Sequence, residues 1–254
     1  MELNFQQNGS GKPFIILHGL FGSLDNWKTH AKTLGEYFDM YLIDQRNHGK
    51  SPWSDEFSYD LMADDLQEFV LKHNLKDFIL LGHSMGGKTA MRYAQKYPEL
   101  IDKLIIVDMG IKQNVASHKE IIQGLKSIDL SQIHSRQEAD EALGKYINST
   151  VLRQFLLKNL HWKERNQLAW YINLPVLADK YEAILEATPK EEVLINTLFI
   201  NGGLSDYILP EDKPSILEVF PLAEFYTIEN AGHWIHADQP EAFIQKVLEY
   251  SLGM

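Results

Sequence analysis

This sequence predicts an α/β fold: a mostly parallel central sheet flanked by helices, with a helical cap inserted into it. Three observations carry that expectation. Short apolar runs alternate with amphipathic segments over residues 1–110, the alternation stops over 111–187, and it resumes over 188–254. Runs that are apolar throughout, rather than at every second position, belong to strands buried on both faces, the situation of a parallel sheet covered by crossover helices.

Phe14 to Leu17 is the first such run, ended by His18-Gly19. Trp27 to Tyr37 fits an amphipathic helix, and Met40 to Ile43 is the second run. Tyr59 to His73 has helical spacing at Leu61, Leu66, Phe69 and Val70. Phe78 to Leu81 is the third run, Thr89 to Tyr97 a helix, and Leu104 to Val107 the fourth run. Residues 111–187 contain no convincing buried strand. Their apolar and aromatic positions, among them Ile121, Leu125, Leu143, Phe155, Leu160, Trp162 and Trp170, read as helical. The rhythm returns with Leu194 to Ile200, Ile216 to Phe220 and Phe225 to Ile228, and a last helix lies around Pro240 to Leu252. Because the sheet needs strands from both sides of the middle stretch, 111–187 is expected to be a cap on one core formed by 1–110 and 188–254.

Composition narrows the function. A net charge of −11 argues against nucleic acid and anionic membranes as partners. The absence of cysteine removes disulfides, thiolate metal sites and a cysteine nucleophile together. Met1-Glu2-Leu3-Asn4-Phe5 lacks the basic and apolar regions of a signal peptide, and no apolar run approaches the ~20 residues that span a bilayer. A cytoplasmic protein, monomeric or homodimeric, is expected.

Gly82-His83-Ser84-Met85-Gly86 is the stretch richest in chemistry. It reads G-x-S-x-G between a β-rich run and a helix-compatible run, the context of a nucleophile elbow. The turn leaves almost no room for side chains two positions either side of the serine, and glycine meets that demand. A serine nucleophile needs a base, a group that orients the base, and donors for an oxyanion. His233, in Asn230-Ala231-Gly232-His233-Trp234, lies past a strand and before the last helix, where its ring can swing into a site. His236 makes an H-x-x-H pair with it, but no third ligand at a matching spacing supports a metal, so none is expected. Two aspartates compete to orient His233. Asp108 follows the fourth apolar run directly, and Asp206 follows the later strand in Asn201-Gly202-Gly203-Leu204-Ser205-Asp206. Both belong at the rim where parallel sheets collect functional groups, and spacing alone does not choose. The N–H of Met85 and the turn His18-Gly19-Leu20-Phe21-Gly22, through Leu20, are the expected oxyanion donors.

Together these residues resemble the α/β-hydrolase superfamily, over essentially the whole chain. More narrowly, His18 to Trp27, Arg46-Asn47-His48-Gly49 and Gly82 to Lys88 resemble the small YbfF-type esterases. The resemblance implies the α/β-hydrolase fold. It also implies hydrolysis of a small-molecule ester or acyl-CoA thioester through Ser84, His233 and an acid, without a cofactor. In that group the acid follows the strand after the nucleophile helix, which maps onto Asp108; Asp206 stands where the wider superfamily carries it. Carbon–carbon bond hydrolysis, lactone opening and perhydrolysis use the same triad and stay open, as does, from another class, a non-catalytic ligand receptor. Phe21 is expected to touch substrate, with Trp162 and Phe155 as cap aromatics that could line an acyl pocket. Lys88 reads as a lysine packing its stem beneath the cap, and Asp44 to Ser51 as a loop-shaping turn.

Overall fold

A computed structural model describes residues 1–114, 119–165 and 167–254. Positions 115–118 and 166, within the stretch read as a cap, lie outside the described residues. The strands of the main sheet are β1 (Phe5–Gly9), β2 (Lys12–Leu17), β3 (Phe38–Ile43), β4 (Phe78–His83), β5 (Ile101–Val107), β8 (Thr197–Gly202) and β9 (Ala223–Ile228). Between β5 and β8 the chain forms a two-stranded antiparallel pair, β6 (Leu160–Glu164) and β7 (Gln167–Trp170). The main sheet runs β1-β3-β2-β4-β5-β8-β9, with β1 antiparallel and every other pairing parallel. The α/β fold with a mostly parallel sheet is therefore as the sequence predicts.

Helices α1 (Lys28–Leu34), α2 (Tyr59–Lys72) and α3 (Met85–Lys96) cross over between the first strands. The stretch between β5 and β8 carries α4 (Lys119–Lys126), α5 (Arg136–Leu143), α6 (Thr150–Leu157), α7 (Leu174–Asp179) and α8 (Tyr181–Leu185). After β8 come α9 (Lys213–Val219), α10 (Ile235–Asp238) and α11 (Pro240–Leu252). Among the described residues no helix is long and apolar enough to cross a membrane.

The apolar runs explain themselves once the sheet is seen. Side chains alternate between its faces. Ile15, Leu80, Leu104 and Ile106 pack with Leu66, Phe69 and Met91 of α2 and α3 on one side. Phe14, Ile79, Leu81 and Ile105 pack with Ala31 of α1 and Phe243 and Val247 of α11 on the other. A third cluster joins Leu125, Leu143, Leu156 and Leu177 to Phe21, Met62 and Met85 beneath them.

Three features differ from the sequence reading. β1 is an edge strand whose residues are partly or fully exposed, so it carries no apolar signal. The β6–β7 pair lies inside the region read as helical. Most of β6 is exposed, with Trp162 50% accessible, so neither burial nor alternation marks it. The run starting at Leu194 enters the sheet only at Thr197, since Leu194 itself is exposed.

Lys88 ties this stretch to α3. Its ammonium is buried and donates to the carbonyls of Lys112 (3.2 Å), Leu185 (3.3 Å) and Glu186. These carbonyls belong to the two segments that lead out of β5 and back towards β8, themselves joined by Asn114 N to Leu185 O (2.9 Å) and Thr188 N to Ile111 O (2.8 Å). Burial pushes the Lys88 pKa down to about 8, a shift the nearby Glu186 charge opposes. Lys88→Met keeps the apolar stem and removes the donors. It is expected to cost about 2 kcal/mol, because buried acceptors lose a charged partner. Urea unfolding reads this out, and an unchanged midpoint would show that the clamp contributes nothing.

Candidate active site

β2 connects to β3 on one side and β4 lies on its other, so strand order reverses between β2 and β4. A crevice opens at such a point, beyond the strands' C-terminal ends. The turn after β2 and the elbow after β4 both end there. Ser84 has φ 54 and ψ −120, a left-handed conformation rare for a residue with a side chain. The tight packing around it explains the glycines. A Cβ on Gly82 would fall 2.2 Å from the Gly86 carbonyl oxygen, and one on Gly86 2.5 Å from the Leu17 carbonyl oxygen. The strained turn is fixed by Ser84 N to Val107 O (3.0 Å) and by Gly87 N to Ser84 O (2.8 Å).

His233 Nε2 lies 2.9 Å from Ser84 Oγ, and His233 Nδ1 lies 2.8 Å from Asp108 Oδ2. With Nδ1–H donating to the carboxylate, Nε2 is the acceptor for the serine hydroxyl. The Asp108 carboxylate is fully buried and also accepts from Gly202 N (3.0 Å) and Ser205 Oγ. Asp206, one residue further on, is exposed in the loop after β8. Of the two aspartates, Asp108 is the one in contact with His233.

Residues that the sequence does not mark as functional support His233. Ser205 holds the carboxylate. Tyr207 stacks on the imidazole, with ring centroids 4.0 Å apart and planes at 16°. His83 Nε2–H donates to the His233 carbonyl (2.8 Å) and anchors its loop. The one sequence signal for them is that Ser205 and Tyr207 flank Asp206.

Leu20 and Met85 line a cavity together with Ser84. Met85 opens α3, so its N–H has no acceptor within the helix. Among the described residues neither N–H donates a hydrogen bond. Gly19 lets the turn close in, since a Cβ there would sit 3.2 Å from Ser84 Cβ. The turn is braced from below. Phe21, at φ 59, donates its N–H to His48 Nε2 (3.2 Å), and its carbonyl accepts from Asn159 Nδ2 (2.8 Å). Asp44 lies under the same turn and accepts from Leu24 N (2.8 Å) and Lys50 N (2.9 Å).

Phe21 and Phe155 both line a cavity at Ser84, with Phe155 5.8 Å from the Trp234 ring. Trp162 is not among the residues lining it. It stands on β6 facing solvent, because its neighbours in the short hairpin leave that face uncovered. Trp170 packs into the cluster above the sheet. His236 stacks on Trp27 at 4.3 Å. Among the described residues no group of three or more histidine or acidic side chains could hold a metal ion.

A family described as the alpha/beta hydrolase fold matches residues 12–137. With its relatives covering nearly the whole chain, the protein belongs to the α/β-hydrolase superfamily, as one of its esterase-like hydrolases. It is 34% identical to esterase YbfF of Escherichia coli strain K12, over 98% of this chain and 99% of that one. It is 37% identical to the sn-1-specific diacylglycerol lipase ABHD11 of Danio rerio, over 97% of this chain and 80% of the relative. The solved structure of a marine microorganism esterase is 46% identical, with a TM-score of 0.96 over 98% of this chain and 99% of that one.

Proposed function

We propose that this hydrolase is a serine-dependent carboxylesterase. It cleaves short to medium acyl esters, with acyl-CoA thioesters as a second substrate class, through an acyl-enzyme. One observation supports this above all: an unbroken hydrogen-bonded chain from Ser84 Oγ through His233 to the buried Asp108, beside two N–H groups that donate to nothing else among the described residues. In this reading residues 111–187 form a cap over a core of 1–110 and 188–254.

Ser84 Oγ gives its proton to His233 Nε2 and attacks the acyl carbonyl carbon. The carbonyl oxygen becomes an oxyanion and is met by the N–H groups of Leu20 and Met85. Asp108 holds the tautomer that leaves Nε2 free and stabilises the imidazolium. The intermediate collapses, the bond to the leaving alcohol or thiol breaks, and His233 returns the proton to it. A water then gives a proton to His233 and attacks the acyl-enzyme. The bond to Ser84 Oγ breaks, His233 gives its proton back to that oxygen, and free serine and a carboxylic acid result.

The test is direct. A p-nitrophenyl alkylphosphonate should label Ser84 stoichiometrically and stop hydrolysis of p-nitrophenyl acetate. Ser84→Ala should fold normally, escape the label and lose nearly all turnover. Wild-type rates in Ser84→Ala would end the serine-esterase reading.

A further inference from the structure

Ser84 stands between two small cavities. One, of about 30 Å³, is lined by Phe21, Leu152, Phe155, His233 and Trp234. The other, of about 20 Å³, is lined by Tyr59, Met85, Met109, Tyr181, Ile184 and Tyr207. Leu20 and Ser84 border both. An ester bound to the serine has two arms, and the chemistry gives them different needs. The leaving oxygen must reach His233 Nε2, which returns the proton. Of these two cavities, the larger is the one lined by His233. The smaller is bordered by both Leu20 and Met85, and Tyr207, lying flat on the imidazole, separates it from the base.

Resting on the esterase reading, we infer that the cavity beneath α8 takes the acyl chain and the cavity beneath α6 takes the leaving alcohol. Tyr181 and Ile184 then set acyl length, and Leu152 and Phe155 set alcohol preference.

The acyl side is small and firmly walled. A cavity of about 20 Å³ holds one or two waters, the size of an acetyl or propionyl tail. Its α8 wall is pinned from two elements, by Tyr59 Oη–H to Ile184 O (2.7 Å) and by Lys88 Nζ to Leu185 O (3.3 Å). Acyl preference should therefore fall sharply beyond about three carbons. The alcohol side is walled by side chains of α6, where Leu152 and Phe155 are only partly buried, so alcohol preference should fall gradually.

Two ester series on the intact protein separate the arms. One varies the acid on a p-nitrophenyl leaving group from acetate to octanoate. The other varies the alcohol on acetate from methyl to hexyl and benzyl. Ile184→Ala should raise kcat/KM relative to acetate about fourfold for each methylene newly accommodated, so about fourfold for butanoate and at least about tenfold for hexanoate. Its alcohol ranking should stay within about twofold of wild type. Phe155→Ala should do the reverse. Ile184→Val, a milder change of the same wall, should move the acyl profile in the same direction and covers the case in which the alanine variant does not fold. If Ile184 variants move the alcohol ranking, or each variant moves both series alike, the assignment is overturned while hydrolysis stands. If the wild type cleaves no ester in either series, it is the esterase reading that falls.

Discussion

Asp108→Asn is expected to lower turnover of p-nitrophenyl acetate by about 10⁴-fold, and Asp206→Asn to leave it within about twofold of wild type. The two carboxylates are nearly equivalent in sequence, each following a strand of the same sheet, but their surroundings are opposite. Asp108 is fully buried and takes three donors: Gly202 N, Ser205 Oγ and His233 Nδ1. An asparagine there must turn its amide either towards His233, setting donor against donor, or towards Gly202 N with the same clash. The imidazole then favours the tautomer protonated at Nε2, which cannot accept the serine proton. Asp206 is exposed, and a carboxamide in its place removes a charge that water and salt already screen. Steady-state rates, with circular dichroism to establish that both variants fold, decide the matter. The opposite ranking would move the acid to Asp206.

The central strands and the elbow were legible in sequence for one reason: their physical demands are local. A strand buried on both faces must be apolar throughout, and β2, β4 and β5 declare themselves at Phe14, Phe78 and Leu104. The elbow needs glycine where Gly82 faces the Gly86 carbonyl four residues on, a need set within the turn itself. What was not legible depends on relations across the fold. The choice between Asp108 and Asp206 turns on which strand end faces His233, and nothing in either loop encodes that. Ser205 reads as a turn residue until Asp108 is seen beside it. Phe155 and Trp162 are equally aromatic in sequence, yet one borders the Ser84 cavity and the other sits on an exposed hairpin. His18 and His48 read as parts of two loops. In the structure their rings lie 5.1 Å apart, bracing the turn that carries Leu20 and Phe21.

That bracing predicts a steep loss of stability in mild acid. His18 Nε2 accepts from Gln45 N (3.1 Å) while its Nδ1–H donates to Gly19 O (2.8 Å). His48 Nε2 accepts from Phe21 N (3.2 Å) while its Nδ1–H donates to Arg46 O (2.9 Å). Each ring is buried and uses its second nitrogen as an acceptor, so a further proton would face a backbone N–H with no water to relieve it. Burial lowers the pKa of His18 to about 4 and of His48 and His236 to about 3, with neighbouring histidines adding to the last two. Burial also lowers His30 and His83. An unfolded histidine titrates near 6.5. Above that pH neither state binds the proton. Below it the unfolded chain takes up protons that the folded chain refuses, so stability falls as pH falls until the folded values are reached. Three such histidines give a slope that approaches roughly 4 kcal/mol per pH unit below the unfolded value, and a loss of roughly 5 kcal/mol between pH 6.5 and 5. That is comparable to the whole stability of an ordinary domain. Most carboxylates titrate below this window, which isolates the histidines. Urea unfolding at a series of pH values from 7.5 to 5 should show a proton uptake on unfolding that is small at pH 7.5 and reaches about three near pH 5. His48→Gln keeps an acceptor for Phe21 N and should remove about one proton from that slope, whatever it does to the absolute stability. A profile flat from pH 7 to 5.5 would mean that these rings are protonated in the folded protein, and that the turn holding Leu20 is braced by something other than neutral imidazoles.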